Sequence, residues 1–250
     1  MKKFFLLLVF SLLWISCATK KQILYFQDAE ALNAKSAMEH YEPIIEKNDV
    51  LYISVSSMNV EVVEPFKRNT GENYANSQNQ LLQGYLVDSN GTIRFPVLGE
   101  ITVAGSTRAQ VVTMLRDRLS EFITDVVVDV RIMNFKITVL GAVNRPGVYS
   151  IQDERVTLPQ ALGLAGDLSV DGKRSEIMIV REVDGKQQVA HVDLTATDFF
   201  ESPFYFLKQN DLVYVQPSLK GVKKSGFIPD IPALLSLFTV VLSTVIIITR

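Results

Sequence analysis

The feature that most constrains this chain is its uncharged C-terminal segment. Residues 231–249 contain no Asp, Glu, Lys or Arg in 19 positions. An α-helix from Pro232 to the end of this segment would be about 27 Å long at about 1.5 Å per residue, close to the thickness of the hydrocarbon core of a bilayer. Proline is tolerated in the first turn of a helix, so Pro232 suits a helix start. The sequence therefore predicts a transmembrane helix at 231–249, preceded by a linker at 218–230.

The opposite end of the chain has the three regions of a secretory signal peptide. Two lysines give a positive start, an apolar run extends to Trp14, and a small residue precedes Cys17. This end resembles a bacterial lipobox, in which the cysteine becomes the lipidated first residue of the mature protein. A cysteine directly after an apolar leader has no folded core to enter, which disfavours a structural role for the thiol. We expect a signal peptide at 1–16, lipidation of Cys17, and a polar tether at 17–40 with one apolar docking patch at 23–26.

The charge balance disfavours a nucleic-acid partner. The chain has 25 Lys and Arg against 27 Asp and Glu, a formal net charge of −2, so it offers no basic field for phosphates. Its single cysteine cannot form a disulfide within the chain. The fold must therefore be stabilised by the packing of its apolar residues.

A β-rich unit is predicted at 41–133. The residues from 51 to 55 alternate between aliphatic and more polar side chains, which is the period of a half-buried strand. The Asn-Gly pair at 90–91 lies between apolar runs, and both residues tolerate positive φ. We therefore expect a tight hairpin that pairs 85–88 with 92–95.

A helix is predicted to start at Thr107. Gln110 lies three positions later, so the two side chains can form a capping box with the first backbone amides. Apolar residues follow at helical spacing and predict one face packed on the sheet. These residues are Val111, Val112, Leu115, Leu119 and Phe122. A strand at 126–132 follows.

A second unit is predicted at 134–217. Its first two strands are joined by a turn motif, because a Pro-Gly pair favours a reversal of the chain. The motif residues are Gly141, Arg145, Pro146 and Gly147. Thr157 and Gln160 repeat the capping box, and a strand pair is expected across the turn at 184–185. Strand, helix and further strands give a small α+β unit of the β-grasp kind.

A short sequence occurs in both units. The residues at 48–53 and at 210–215 share the order Asn-Asp, two aliphatics, tyrosine, aliphatic. Six positions are too few to establish a duplication. They predict that each unit has a similar turn into a strand, in which the aspartate accepts hydrogen bonds from backbone amides.

Two regions carry a family resemblance. Residues 84–105, with the sequences Asp-Ser-Asn-Gly-Thr-Ile and Phe-Pro-Val-Leu-Gly-Glu-Ile, resemble the polysaccharide export domain of outer-membrane polysaccharide export lipoproteins. Residues 141–149, with Arg-Pro-Gly-Val-Tyr, and the segment at 157–166 resemble the soluble-ligand-binding β-grasp (SLBB) domain that follows it. The resemblance implies an α+β fold. We expect a β-rich periplasmic export domain, one SLBB domain and a C-terminal transmembrane α-helix.

The resemblance also implies a function and partners. Relatives form a homo-oligomeric, octamer-like ring whose C-terminal helices cross the outer membrane as a barrel, and they dock onto an inner-membrane polysaccharide co-polymerase regulated by a tyrosine kinase. This implies a lipid-anchored outer-membrane channel that conducts polysaccharide, with its body in the periplasm. The alternative is a membrane-tethered scaffold without a pore, which binds a glycan or a periplasmic partner.

One face of the C-terminal helix distinguishes these alternatives. Ser236, Thr239 and Ser243 fall on a single stripe of the helix. In a ring of identical helices this stripe would line a water-filled lumen. The same small hydroxylated residues also allow close approach of neighbouring helices, so packing is the alternative interpretation.

The sequence does not indicate a catalytic site. His40 and His191 lie in different units, and no metal-ligand spacing or nucleophile motif is present. We therefore expect no catalytic or metal-binding residues and no cofactor, and we do not expect an enzyme. One aromatic cluster could stack on sugars, although packing is commoner for so many phenylalanines. It comprises Phe199, Phe200, Phe204, Tyr205 and Phe206.

Overall fold

The fold is taken from a computed structural model that describes residues 24–31, 41–68, 83–183, 185–218 and 231–249. The predicted signal peptide, Cys17, His40 and most of the linker at 218–230 lie outside the described residues.

The described residues form a mixture of helices and strands, which confirms the predicted combination of sheets and helices. The strands are β1 Val50–Ser56, β2 Tyr85–Leu86, β3 Thr92–Phe95, β4 Gly99–Thr102, β5 Val127–Ile132, β6 Lys136–Gly141, β7 Gly147–Ser150, β8 Val156–Thr157, β9 Gly172–Val183, β10 Lys186–Val192, β11 Phe206–Leu207 and β12 Leu212–Pro217. The α-helices are α1 Val60–Val63, α2 Arg108–Leu119, α3 Leu158–Leu164 and α4 Ile231–Thr249. Short 3₁₀ turns occupy Ala29–Ala31, Glu64–Phe66 and Asp198–Glu201.

The N-terminal unit, comprising the described residues between 41 and 133, has its own hydrophobic core. Its antiparallel sheet has the order β2-β1-β5, and Ile53 lies opposite Val130. Helix α2 buries Val111, Leu115 and Leu119 in this core. The predicted apolar face of the helix is therefore confirmed, except that Phe122 lies beyond the helix end and is exposed.

The turn at 90–91 does not join a hairpin. Strand β2 pairs with β1, whereas β3 pairs with β4, so the expected pairing of 85–88 with 92–95 is wrong. Only Gly91 has positive φ there, and the Asp88 carboxylate accepts bonds from the Asn90 and Thr92 amides at 2.9 Å. A side-chain turn of this kind lets the chain change sheets, because it does not impose the twist of a primed hairpin turn.

The C-terminal unit, comprising the described residues between 134 and 218, contains a second core. Its sheet has the order β10-β9-β12-β6-β7, in which β12 runs parallel to β6 and the other pairs are antiparallel. Helix α3 buries Leu158, Ala161 and Leu162 in this core. Both predicted capping boxes are confirmed, at Thr107 with Gln110 and at Thr157 with Gln160.

The C-terminal helix α4 makes up the last described residues. It has 19 residues, and the apolar side chains among 234–248 are about half exposed or more. Among the described parts of the chain, no helix reaches the length and apolar character needed to span a membrane.

Candidate functional site

The turn motif of the C-terminal unit holds the end of helix α3. Gly141 ends β6 with φ 90°, and a Cβ at this position would lie 2.1 Å from the Val215 carbonyl oxygen. Only glycine therefore allows β6 and β12 to approach here. Arg145 donates from its backbone amide to the Ala165 carbonyl at 2.8 Å and from Nη2 to the Leu164 carbonyl at 3.2 Å.

The two remaining motif residues complete a reversal of the chain. Pro146 and Gly147 lead into β7, which pairs antiparallel with β6, so the predicted turn between two strands is confirmed. The Tyr149 hydroxyl donates to the Arg145 carbonyl and closes this turn. Arg145 satisfies carbonyls at the negative end of a helix, which is a favourable position for a cation. The motif thus fixes the position of the helix end.

Asp167, which follows the end of helix α3, forms a hydrogen bond with Tyr25 of the N-terminal tether. Asn144 donates from Nδ2 to the Gly166 carbonyl at 2.7 Å and from its amide to the Asp167 carbonyl at 3.0 Å. Asp167 has φ 69°, and its Oδ1 accepts a hydrogen bond from the Tyr25 hydroxyl at 2.5 Å. The turn motif therefore supports a contact with the N-terminal segment.

Residues 24–27, here named the strap, bind the C-terminal unit through both backbone and side chains. The amides of Phe26 and Gln27 donate to the carbonyls of Leu194 and Thr195 at 3.1 and 2.8 Å. The Phe26 ring stacks on Phe199 with centroids 5.5 Å apart. The predicted docking patch is therefore confirmed within the described residues.

Tyr25 also covers a buried arginine. The Arg174 guanidinium lies 4.9 Å from the centre of the Tyr25 ring, and Arg174 is only 8% exposed. Burial raises the pKa of Tyr25, and the hydrogen bond to Asp167 raises it further, so the hydroxyl stays a neutral donor at physiological pH. The adjacent rings of Tyr25 and Phe26 thus cover this surface of the C-terminal unit.

The aromatic cluster packs internally. Phe199 and Phe204 are buried in the second core, and Phe200 and Tyr205 pack against it. Tyr41 stacks on Phe206 with ring centroids 4.5 Å apart. The cluster therefore binds other parts of the same chain, which favours packing over sugar stacking.

The two Asn-Asp turns meet between the units. The Asn134 side chain donates to the Asn48 carbonyl at 2.9 Å and accepts from the Val50 amide at 2.8 Å. Gln209 donates to the Asn134 carbonyl at 2.7 Å and accepts from the Lys136 amide at 2.8 Å. We call these five residues, with Asp49 between Asn48 and Val50, the joint.

The aspartates of these turns have the predicted backbone role. Asp49 Oδ2 accepts from the Glu46 amide at 2.8 Å, and Asp211 Oδ2 accepts from the Lys208 amide at 2.7 Å. A buried partner that sequence reasoning missed is Arg181, which pairs with Asp211 at 2.7 Å. The available signal was its position in phase with Ile177 and Ile179, on the buried face of β9.

The three predicted pore residues lie along α4, and two of them use their hydroxyls within the helix. Thr239 Oγ1 donates to the Ser236 carbonyl at 2.8 Å, and Ser243 Oγ donates to the Thr239 carbonyl at 2.7 Å. His191 is exposed on β10. Within the described ranges, no group of three or more His, Cys, Asp or Glu residues could hold a metal ion.

Two domain families match in the order that the resemblance implies. Residues 37–133 match the family described as polysaccharide biosynthesis/export protein, and residues 135–215 match the SLBB domain. The chain belongs to the polysaccharide export family. The first match contains the Asn48-Asp49 turn, and the second contains the Arg145 turn and the Asn210-Asp211 turn.

Two curated relatives carry a name that describes export. The chain is 34% identical over 149 residues to the EPS I polysaccharide export outer membrane protein EpsA of Ralstonia solanacearum, covering 58% of this chain and 38% of the relative. It is 31% identical over 139 residues to the protein of the same name in Ralstonia nicotianae, covering 54% and 36%. The matched regions thus amount to less than two fifths of the length of either relative.

Proposed function

We propose that this protein is a subunit of an outer-membrane channel that exports an extracellular or capsular polysaccharide from periplasm to cell surface. The observation that carries the proposal is the order of the two matched domains, in a chain 34% identical to a polysaccharide export outer membrane protein. Its role is conduction: the protein gives the polymer a path and does no covalent chemistry.

The N-terminal part of the proposal joins the body to the membrane. Residues 1–16 are removed as a signal peptide and Cys17 carries lipid in the outer membrane, with the body in the periplasm. Leu24 is seven residue steps from Cys17, so the strap begins at most about 25 Å from the lipidated residue at about 3.5 Å per step. The hydrogen bonds and ring contacts of the strap support this role, because they fasten the C-terminal unit to the tether.

In the C-terminal part of the proposal, helix α4 enters the outer membrane beside the same helix of neighbouring subunits, although taken alone it falls short of the length and apolar character of a membrane-spanning helix. Support comes from the uncharged sequence and from apolar side chains such as Ile247 and Ile248, which are 76% and 77% exposed. Covering such surface stabilises by about 25 cal/mol per Å². A ring is needed because one helix encloses no lumen, and family resemblance suggests an octamer-like ring docked on an inner-membrane polysaccharide co-polymerase with its tyrosine kinase.

Deletion of the gene tests the function directly. We expect the deletion strain to lose surface polysaccharide, and the wild-type gene to restore it. The Cys17→Ser variant and a chain truncated before residue 231 are expected to restore little. Normal surface polysaccharide in the deletion strain would contradict the proposal. Labelling of an epitope at the C-terminus from outside intact cells, and ring-shaped particles in detergent extracts, test the membrane arrangement separately.

The tethered scaffold remains the second candidate, and the helix hydroxyls favour it. Thr239 and Ser243 already donate to backbone carbonyls, so neither requires water from a lumen. A combined Ser236→Leu and Ser243→Leu variant would obstruct a channel but leave an anchor almost unaffected. The matched control is Val241→Leu with Val245→Leu, which adds bulk on the other face. Equal export by both double variants would favour the scaffold.

A further inference from the structure

The joint between the two units contains a carboxylate with an incomplete set of hydrogen bonds. Asp49 is 2% exposed, and its Oδ2 accepts from the Glu46 amide. Among the described residues, its Oδ1 has no hydrogen-bond partner. A buried polar atom without a partner is costly, and an ionised one more so. Asp49 is therefore more easily accommodated in this joint as a neutral acid than as an anion.

The same carboxylate lines a small cavity between the units. The cavity has a volume of about 30 Å³, and Tyr41, Glu46, Phe135, Lys208 and Gln209 contribute to its lining. A cavity holds one water molecule for about every 10–15 Å³ of this volume. The closed joint thus has room for about two water molecules beside Asp49, which is fewer than the full hydration shell of an anion contains.

In the described part of the chain, no cation pairs with Asp49. The Lys208 ammonium lies 3.7 Å from Glu46 Oε1. Arg181 donates instead to Asp211, and Tyr41 is a neutral phenol whose pKa is raised by burial. Burial raises the pKa of Asp49 to about 6, with a smaller contribution from the Glu46 carboxylate, while the Glu46 amide opposes the shift. Asp49 thus changes charge in a range that an envelope protein meets.

Asp49 also lies in sequence between Asn48 and Val50, whose backbone groups both form hydrogen bonds with the Asn134 side chain. The Asn48 carbonyl accepts a hydrogen bond from Nδ2 of the Asn134 side chain, and the Val50 backbone amide donates to Oδ1 of the same side chain. A displacement of the turn that admits water to Asp49 must strain or break these two bonds. The protonation state of one side chain is thereby coupled to the contact between the units.

We infer that the Asp49 carboxyl group is a proton-controlled latch of the joint. As the neutral acid it is compatible with the closed joint and with both bonds to Asn134. As the anion it favours hydration of the cavity, displacement of the turn and freer movement of the N-terminal unit relative to the C-terminal unit. The inference concerns the joint alone and does not depend on channel activity.

Hydrogen exchange of the full-length protein in detergent tests the latch. Exchange is followed by mass spectrometry at about pH 5 and about pH 7, with each rate corrected for intrinsic chemistry. We expect protection of the 46–52 peptide to fall about tenfold between these two values in the wild type. The α3 peptide is the internal reference, and its protection should be unchanged.

Two variants make the test specific. Asp49→Asn keeps an acceptor for the Glu46 amide but cannot ionise, so its protection should be equal at both pH values. Glu46→Gln removes the facing charge and should move the wild-type change to lower pH, which keeps the test decisive even if Asp49→Asn folds poorly. Asp129→Asn, at a half-exposed carboxylate on β5 that pairs with Arg131, is the matched control. Unchanged wild-type protection, or the same loss in Asp49→Asn, would overturn the latch.

Discussion

The two Asn-Asp turns are the same backbone device in two different electrostatic surroundings. Asn48 and Asn210 both adopt the left-handed conformation, with φ 69° and 63°. In each turn the aspartate carboxylate accepts from the amide three positions earlier, at 2.8 Å for Asp49 and 2.7 Å for Asp211. The local geometry is therefore independent of what else the carboxylate contacts.

The surroundings of the two carboxylates differ completely. Asp211 is 1% exposed. Its Oδ1 accepts a hydrogen bond from Arg181 Nε at 3.0 Å, and its Oδ2 accepts one from Arg181 Nη2 at 2.7 Å. Arg181 also donates to the carbonyls of Pro203 and Phe206, at 3.2 and 3.0 Å. Asp49 is similarly buried, and none of the described residues provides it with such a cation. The comparison teaches that two neighbouring residues specify the turn, while a strand elsewhere in the fold decides whether its charge is compensated.

Replacing Asp211 should have the largest effect. Asp211→Asn removes the anion and leaves the Arg181 guanidinium buried without a counter-charge. We expect the free energy of unfolding to fall by about 3–5 kcal/mol, measured by chemical denaturation of the intact protein. A double variant with Arg181→Met removes the stranded charge and should recover part of the loss. If the double variant is no more stable than the single one, the pair is not coupled as described.

Replacing Asp49 should change the free energy of unfolding in the opposite direction at neutral pH, so that the variant is more stable. The pKa of this group is raised from 3.8 to about 6 in the folded protein, so the folded state binds more protons than the unfolded state between these values. The stability contributed by the neutral acid is complete below the unfolded pKa and is lost as pH rises through the folded pKa. Near pH 7 the free energy of unfolding of Asp49→Asn should therefore be higher than that of the wild type by about 1–3 kcal/mol.

The pH dependence provides the check on this second prediction. Unfolding free energies of wild type and Asp49→Asn, measured from about pH 4 to about pH 7, should diverge as pH rises, because only the wild type loses the contribution. The two curves should approach each other at the acidic end of the range. Parallel curves would show that Asp49 does not titrate in this window.

Features that depend on a few neighbouring residues could be predicted from the sequence. The capping boxes at Thr107 and Thr157 require only two side chains three positions apart, and the Asn-Asp turns require only adjacent residues. The β9–β10 pair follows from two aliphatic runs around a glycine turn. Such features need no knowledge of the tertiary fold, because the groups involved are close together in the sequence.

Features that depend on distant residues could not be predicted. The contact of Tyr25 with Asp167 joins positions 142 residues apart, and Arg181 and Asp211 are 30 apart. The expected hairpin at 90–91 was wrong because the tertiary fold, and not the local turn, determines which strands pair. In this fold β2 pairs with β1, and β3 pairs with β4. The missing counter-charge of Asp49 had no sequence signal, because an absent partner leaves no pattern. Cys17 lies outside the described residues, so its lipidation stays a prediction.

The smallest effects should come from the asparagines, and they test whether the two turns are alike in backbone. A non-glycine residue in the left-handed conformation costs about 1–2 kcal/mol, and asparagine relieves this through local hydrogen bonding. Asn48→Ala and Asn210→Ala should each lower the free energy of unfolding by about 1 kcal/mol, and glycine at either position should restore it. Equal losses in both turns would show that the backbone device is shared. A clearly larger loss at Asn48 would instead indicate that the Asn134 contacts in the joint depend on this turn more strongly than its φ angle alone requires.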